Sequence, residues 1–314
     1  MTMARAHLAV GPDGLKLLGF LASLGALIAL TKVWPERVVR LSWTMPRSGL
    51  GAGSWRSVFH ADPSVTEDEI VEALFTYLTD QRSLEVLEGL EQNLGVSGRD
   101  LREHVARFWE ERRDRRAADL LAALMADAGA DQKVRPSPLR ALTGASQMHF
   151  VDTVRALSDS SRLSREHVVR ALFRPWTYED TRFTMRWDDV DFRSHALRAR
   201  DPARDPVHPI RTEWGANRLA FEALALFTMT WSAETVGFRA QEVRWPLWAP
   251  PTSADVIRSL LAHPALFRPE DEWRELHALG VTIVASARRF SGEGGKGVYF
   301  SPARVVWVGG EVVG

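Results

Sequence analysis

The sequence has no cysteine at all, which excludes disulfides, thiolate zinc centres, iron–sulfur clusters and cysteine nucleophiles, and makes a reducing cytoplasm the expected home. It is also short of net charge. Forty basic residues balance forty acidic ones over 314 positions, so no global field draws the chain to nucleic acid or an anionic membrane, and any polyanion contact must be local. Lysine is scarce: only Lys16, Lys32, Lys133 and Lys296 occur, leaving 36 arginines. A GC-rich coding bias produces the same skew, but arginine also suits buried ion pairs and bidentate phosphate or carboxylate contacts better than lysine does. Long hydrophobic runs are missing too. The best candidate, "LKLLGFLASLGALIAL" at 15–30, is shorter than the roughly 20 residues a membrane span needs, and no small-residue cleavage site follows it. Its small residues, Gly19, Ala22, Ser23, Gly25, Ala26 and Ala29, would admit another backbone at close range, so a helix buried on most sides is expected.

Standard catalytic signatures are absent as well. No G-x-x-x-x-G-K-[ST], H-E-x-x-H or G-x-S-x-G occurs. "GEGGKG" has the wrong spacing for a phosphate loop and precedes a strand pattern rather than a helix.

What is present reads as an α+β protein. "RVVRLSW" (37–43) has the β-branched content of a strand and "PRSGLGAGS" (46–54) is a glycine-rich loop. Thr66 with Glu69 forms a capping box ahead of Ile70, Val71, Leu74 and Leu78 at helical spacing. Helices are expected at 82–93 and 98–127, the latter capped by Ser97 and carrying a charged, solvated face at 107–121. "GADQKVRPSP" (129–138) is the clearest linker. It suggests a helix-rich region over 1–135 and a mixed region over 136–314, or one continuous domain. In the second half helices are expected at 149–158, 164–173, 216–227, 253–262 and 271–278. Strands are expected at 182–188, 235–239, 281–288 and 303–308, the last two forming a terminal β-hairpin across a glycine-rich connection.

The segment with most chemistry is "TRFTMRWDDVDFRSHALRARDP" (181–202), where Asp188, Asp189 and Asp191 lie among Arg182, Arg186, Arg193, Arg198 and Arg200. Convergent carboxylates hold hard cations, and two-metal nucleases are built that way. On a strand, however, Asp189 and Asp191 share one face while Asp188 points to the other, so Glu179, Asp180 or Glu213 would have to complete a site. Residues 151–218 contain 13 arginines and 11 acids, enough for nearly every carboxylate to find a guanidinium. A rigid, polar-networked platform is the favoured reading, with no cofactor or metal expected. Arg182 and Arg186 are expected to be scaffold. Arg193, Arg198, Arg211, Asn217, Arg218 and Lys296 are candidates for contact with nucleic acid or a partner.

Five stretches carry a resemblance: "LGFLASLGALIAL" (18–30), "PWTYEDTRFTMRWDDVDFRSHALRARDP" (175–202), "GANRLAFEALALF" (215–227), "VGF" (236–238) and "WPLW" (245–248). Their order and content are similar to a CRISPR-associated family of type I-G systems, formerly I-U, whose members stand alone or extend the helicase-nuclease. The family pattern has a proline before "LGF", where this chain has Leu17, and an arginine-rich "DRR" after "RWD", where this chain has "DVDFRS". The resemblance implies a non-catalytic subunit or adaptor of an interference effector complex. Its partners would be other subunits, including the helicase-nuclease, and crRNA or target DNA. The competing expectation is a metal-dependent nuclease or phosphoesterase on Asp188, Asp189 and Asp191.

Overall fold

The computed structural model describes residues 6–111, 113–130, 132–142, 149–189, 211–230, 234–268, 273–291 and 298–309. Strand β1 (Ala6–Ala9) leads into helix α1 (Leu17–Val33), thirteen of whose seventeen residues are buried. Apolar side chains surround its axis, as in a helix enclosed by protein on all sides, and among the described residues no helix is long and apolar enough to cross a membrane. Strands β2 (Val38–Thr44) and β3 (Arg56–Asp62) follow, with β3 pairing antiparallel to both β1 and β2. The loop between them spans the glycine-rich segment. Helix α2 (Glu67–Thr79) starts at the expected capping box: the Thr66 hydroxyl accepts the Glu69 amide, and the Glu69 carboxylate accepts the Thr66 amide.

Two expected helices are shorter or broken. Over 82–93 only a 3₁₀ segment, Gln81–Leu87, forms. The helix expected over 98–127 divides into α3 (Gly98–Ala106), capped by Ser97, a π-helical turn at Arg107–Glu111, and α4 (Arg115–Leu124). The break has a local cause. Asp114 is an N-cap whose carboxylate accepts the Ala117 amide at 3.2 Å, and Arg113 before it takes a positive φ of 54°; a charged run that reads as a solvated face contains its own helix start. Two short strands, β4 (Met125–Ala126) and β5 (Arg135–Pro136), pair across the linker-like segment.

Helices α5 (Phe150–Ser158) and α6 (Arg165–Phe173) form where expected. The strand expected at 182–188 does not: only β6 (Asp180–Thr181) pairs, with β7 (Arg211–Thr212). Tyr178, Arg182, Phe183 and Arg186 all have φ between 36° and 64°, a left-handed conformation no strand contains. The alternation of side chains that would have put Asp188 and Asp189 on opposite sheet faces is therefore not realised. Helix α7 (Trp214–Ala223) continues into a 3₁₀ turn at Leu224–Leu226. After it come the short β8 (Phe238–Arg239), β9 (Glu242–Trp248), α8 (Ala254–Leu261), α9 (Arg274–Ala278), β10 (Val281–Ser291), β11 (Val298–Phe300) and β12 (Arg304–Val308). Strand β9 contains Pro246, which cannot donate to the ladder, so its sequence reads poorly as a strand. It nonetheless lies between β8 and β10. Strand β10 in turn pairs with both β11 and β12, closing the antiparallel C-terminal sheet with the expected hairpin.

One continuous apolar cluster runs from Ala9 to Phe300. Its axis is α1 against α7, and the approach is set by Gly25: a Cβ there would lie 1.7 Å from the Leu219 carbonyl oxygen. At the other end of α1, Phe20 stacks on Trp43 and Trp245 at 5.9 and 5.8 Å between ring centroids and meets Trp248 edge-on at 6.4 Å. Two of these buried indoles have their N–H groups satisfied, Trp245 donating to the Gly14 carbonyl and Trp248 to that of Leu41. Leu41 and Thr252 exchange backbone hydrogen bonds of 2.9 Å, tying the first sheet to the end of β9.

The Gly25 contact sets a stability test. Gly25→Ala should cost roughly 1–3 kcal/mol by overpacking, and Gly25→Leu more, in urea titrations followed by circular dichroism. A leucine variant as stable as the parent would mean that α1 and α7 separate without penalty.

Candidate functional site

The acid-rich centre is assembled from three pieces of chain. Arg170 on α6 donates two 2.7 Å bonds to the Asp180 carboxylate on β6, and Asp180 also accepts the Trp214 amide at 2.8 Å. The His167 ring stacks on Trp214 and has Nε2 3.3 Å from the same carboxylate. Burial works against ionisation of Asp180, but His167, the Trp214 amide and Arg170 together hold its pKa below the usual carboxylate range. Glu213, enclosed just before α7, accepts the amides of Thr177 and Tyr178 at 2.9 and 2.6 Å, and burial pushes its pKa up. The surroundings thus shift the two carboxylates flanking Arg170 in opposite directions, Asp180 downward and Glu213 upward.

The aspartates of the "RWDD" stretch attach to the start of α1. The Tyr178 hydroxyl donates to Asp188 at 3.0 Å, Lys16 Nζ donates to the Tyr178 oxygen at 3.0 Å, and Lys16 lies 3.5 Å from Asp189. Burial and the Asp188 charge push the Tyr178 phenol above its ordinary pKa. Among the described residues these partners are a tyrosine and one of the few lysines. Arg186 is buried with its guanidinium 4.8 Å from the centre of the Tyr299 ring, a scaffold position. Arg182, also expected to be scaffold, is exposed. Asp191, Arg193, Arg198, Arg200 and Lys296 lie outside the described residues. Among the described residues, no three His, Asp or Glu side chains gather as a metal site would require.

Two of the candidate contact residues belong to the interior. Asn217 is fully buried; its Oδ1 accepts the Met185 amide at 2.8 Å, and its Nδ2 donates to Thr212 Oγ1 and the Glu213 carbonyl. Arg218, equally buried, donates to Ser158 Oγ at 2.6 Å, Ser83 Oγ at 3.0 Å and Glu222 at 2.7 Å. Glu222 is shared with Arg116, which grips it through Nε and Nη2 at 2.6 and 2.7 Å, and it accepts the Tyr77 hydroxyl at 3.1 Å. Neither Asn217 nor Arg218 can meet an external polyanion: they face inward from a helix enclosed on every side, where a charge is tolerated only when fully paired. Arg211 differs. It is exposed on β7 and, among the described residues, reaches the Glu179 carbonyl at 3.5 Å.

The exposed basic site lies elsewhere, in a cleft of about 900 Å³ between the C-terminal sheet and the segments around Pro138, Gly237 and His263. Among the described residues Arg140, Arg239 and Arg289 line it, with Glu234 as the one acid. Arg289 Nε donates to the Pro138 carbonyl at 3.0 Å, and Arg140 to the Asn93 carbonyl. Arg140 Nε is enclosed with no hydrogen-bond partner. Burial, then the neighbouring charge of Arg289, holds Arg140 below the usual guanidinium pKa; Arg289 is lowered by burial. Arg170 and Arg116 show the opposite. Burial opposes their charge too, yet their carboxylate partners raise them above it. Two half-buried guanidinium groups side by side, without a carboxylate among the described residues, are electrostatically incomplete, and an anion would complete them. Sequence spacing gives no sign of this pair, whose members are 149 positions apart and meet only through the fold. The "RRF" at 288–290, two arginines beside an aromatic residue, is the one local signal.

The ion-pair network makes a pH-dependent prediction. Burial disfavours the Glu222 carboxylate, but Arg116 and Arg218 outweigh it and lower its pKa. A carboxylate depressed on folding contributes stability that is complete above its unfolded pKa, about 4.3, and is lost as pH falls through the folded value. The acid-side fall of the melting temperature should therefore be shallower in Glu222→Gln than in the parent, while Arg218→Ala at neutral pH should lose about 3–5 kcal/mol by stranding Glu222. No family model, curated protein or solved structure matches the chain, so its own residues are the ground for assigning a role.

Proposed function

We propose that this protein is a non-catalytic subunit or adaptor of a type I-G CRISPR interference effector complex, acting in the cytoplasm. It meets partner subunits, the helicase-nuclease among them, and crRNA or target DNA through arginine-rich surfaces. One observation carries the reading: the stretches that resemble the family are scattered over the sequence yet pack against one another. Gly25 of the first abuts Leu219 of the third, and Phe20 of the first stacks on Trp245 and meets Trp248 edge-on in the last. Met185 and Tyr178 of the second bind Asn217 and Glu213 at the start of α7. Gly237 of "VGF" accepts the Arg244 amide beside "WPLW". The resemblance thus falls on the supports of the fold, where a shared pattern specifies a shape for assembly, rather than on a set of convergent reactive groups.

Co-expression with the remaining subunits of a type I-G effector and its crRNA tests this. The protein should co-elute with the assembled complex in size-exclusion chromatography, and the purified chain should not cleave DNA or RNA in the presence of magnesium or manganese. Failure to co-elute removes the adaptor reading. Cleavage abolished by Asp188→Ala or Asp189→Ala would replace it with a metal-dependent nuclease.

A further inference from the structure

We propose that the cleft lined by Arg140, Arg239 and Arg289 binds the phosphodiester backbone of a single-stranded nucleic acid, which continues over the rim of the C-terminal sheet past Arg288 and Arg304. This deepens the adaptor reading and rests on it for the source of the strand.

The path is set by two adjoining hollows. The cleft of about 900 Å³ shares Arg239 and Ala240, at the turn between β8 and β9, with a smaller hollow of about 320 Å³ that is lined by Arg288 and Arg304. Neighbouring residues of β10, Arg288 and Arg289, face the two hollows separately, so the basic track curls round the sheet end. In a chain with equal numbers of acids and bases, most interior arginines hold carboxylates. Among the described residues, Arg140, Arg239, Arg288 and Arg289 have no carboxylate within ion-pair distance. The acid of the second hollow, Glu242, is already held by Arg244 and Arg304 at 3.4 and 3.1 Å.

A single small anion would satisfy Arg140 and Arg289 and leave Arg239 and Arg288 unused. A chain of phosphates uses them all. Aromatic faces accompany the track: Phe267 lines the cleft, and Phe290 is 40% exposed with the Arg288 guanidinium 5.8 Å from its ring centre. Guanidinium groups alternating with exposed rings are how proteins hold single strands without reading sequence. A stiff duplex carries its phosphates on a convex surface and cannot follow a recess that turns round a sheet edge.

Fluorescence anisotropy with labelled oligouridine and oligothymidine, on the purified full chain at several salt concentrations, tests the assignment. Binding should weaken steeply with salt, each neutralised phosphate contributing a log–log slope of about 0.7. Arg239→Gln and Arg288→Gln, whose side chains make no ion pair among the described residues, should each weaken binding roughly 5- to 10-fold, reduce that slope and leave the melting temperature unchanged. Arg140→Gln and Arg289→Gln should weaken it at least as much, and Arg182→Gln, exposed away from the cleft, should have no effect. Pyrophosphate should compete only weakly with the oligonucleotides. The proposal is overturned by an absence of oligonucleotide binding, by binding that survives Arg239→Gln and Arg288→Gln together, or by equal competition from pyrophosphate or polyglutamate. Its failure is separate from that of the adaptor reading: oligonucleotide binding without co-elution removes the adaptor and keeps the cleft, and co-elution without oligonucleotide binding does the reverse.

Discussion

The close crossing of α1 and α7 is the constraint on which the rest of the structure depends. With no side chain at Gly25, the α1 backbone lies directly on the Leu219 carbonyl, and α7 is thereby pressed into the middle of the protein. A helix in that position must bury whatever polar groups its sequence contains. Asn217, Arg218 and Glu222 are all there, and each becomes an organising point. Asn217 fixes the irregular chain at Met185. Arg218 and Glu222 draw in Arg116 from α4, Tyr77 from α2, Ser83 and Ser158. Elements far apart in sequence are thus held by one glycine-dependent contact and the polar network it encloses.

The same logic divides the arginines into two populations. In the interior, desolvation makes an unpaired charge prohibitively costly, and Arg116, Arg170 and Arg218 meet carboxylates with short, partly bidentate bonds. At the rim of the C-terminal sheet, Arg140 and Arg289 are only half-buried and bind carbonyl oxygens, which accept their protons without neutralising their charge. A carbonyl-bound guanidinium keeps its field, so a balanced net charge at the level of the whole chain coexists with a positive cleft. The segment around the "RWDD" aspartates belongs to the first population: its left-handed residues turn the chain sharply, so that Asp188 and Asp189 face Tyr178 and Lys16 rather than an open space.

The sequence by itself determined the α+β class, the enclosed nature of α1, the capping box at Thr66, the helix cap at Ser97, and the terminal hairpin. These depend on composition and on spacings of a few residues, which local physics reads directly. It also pointed to close approach at Gly25, because small residues on an apolar helix have few other uses. It misplaced what depends on distant partners. Asn217 and Arg218 look like surface polar residues on an amphipathic helix until α1 covers the other side of α7. The strand pattern at 182–188 gives way because Asn217 captures the Met185 amide within it and Glu213 captures the Thr177 and Tyr178 amides just before it. Only tertiary structure decided which arginines are neutralised. That property belongs to pairs such as Arg140 with Arg289 or Arg116 with Glu222, whose members are brought together by folding and carry no mark of each other in the sequence.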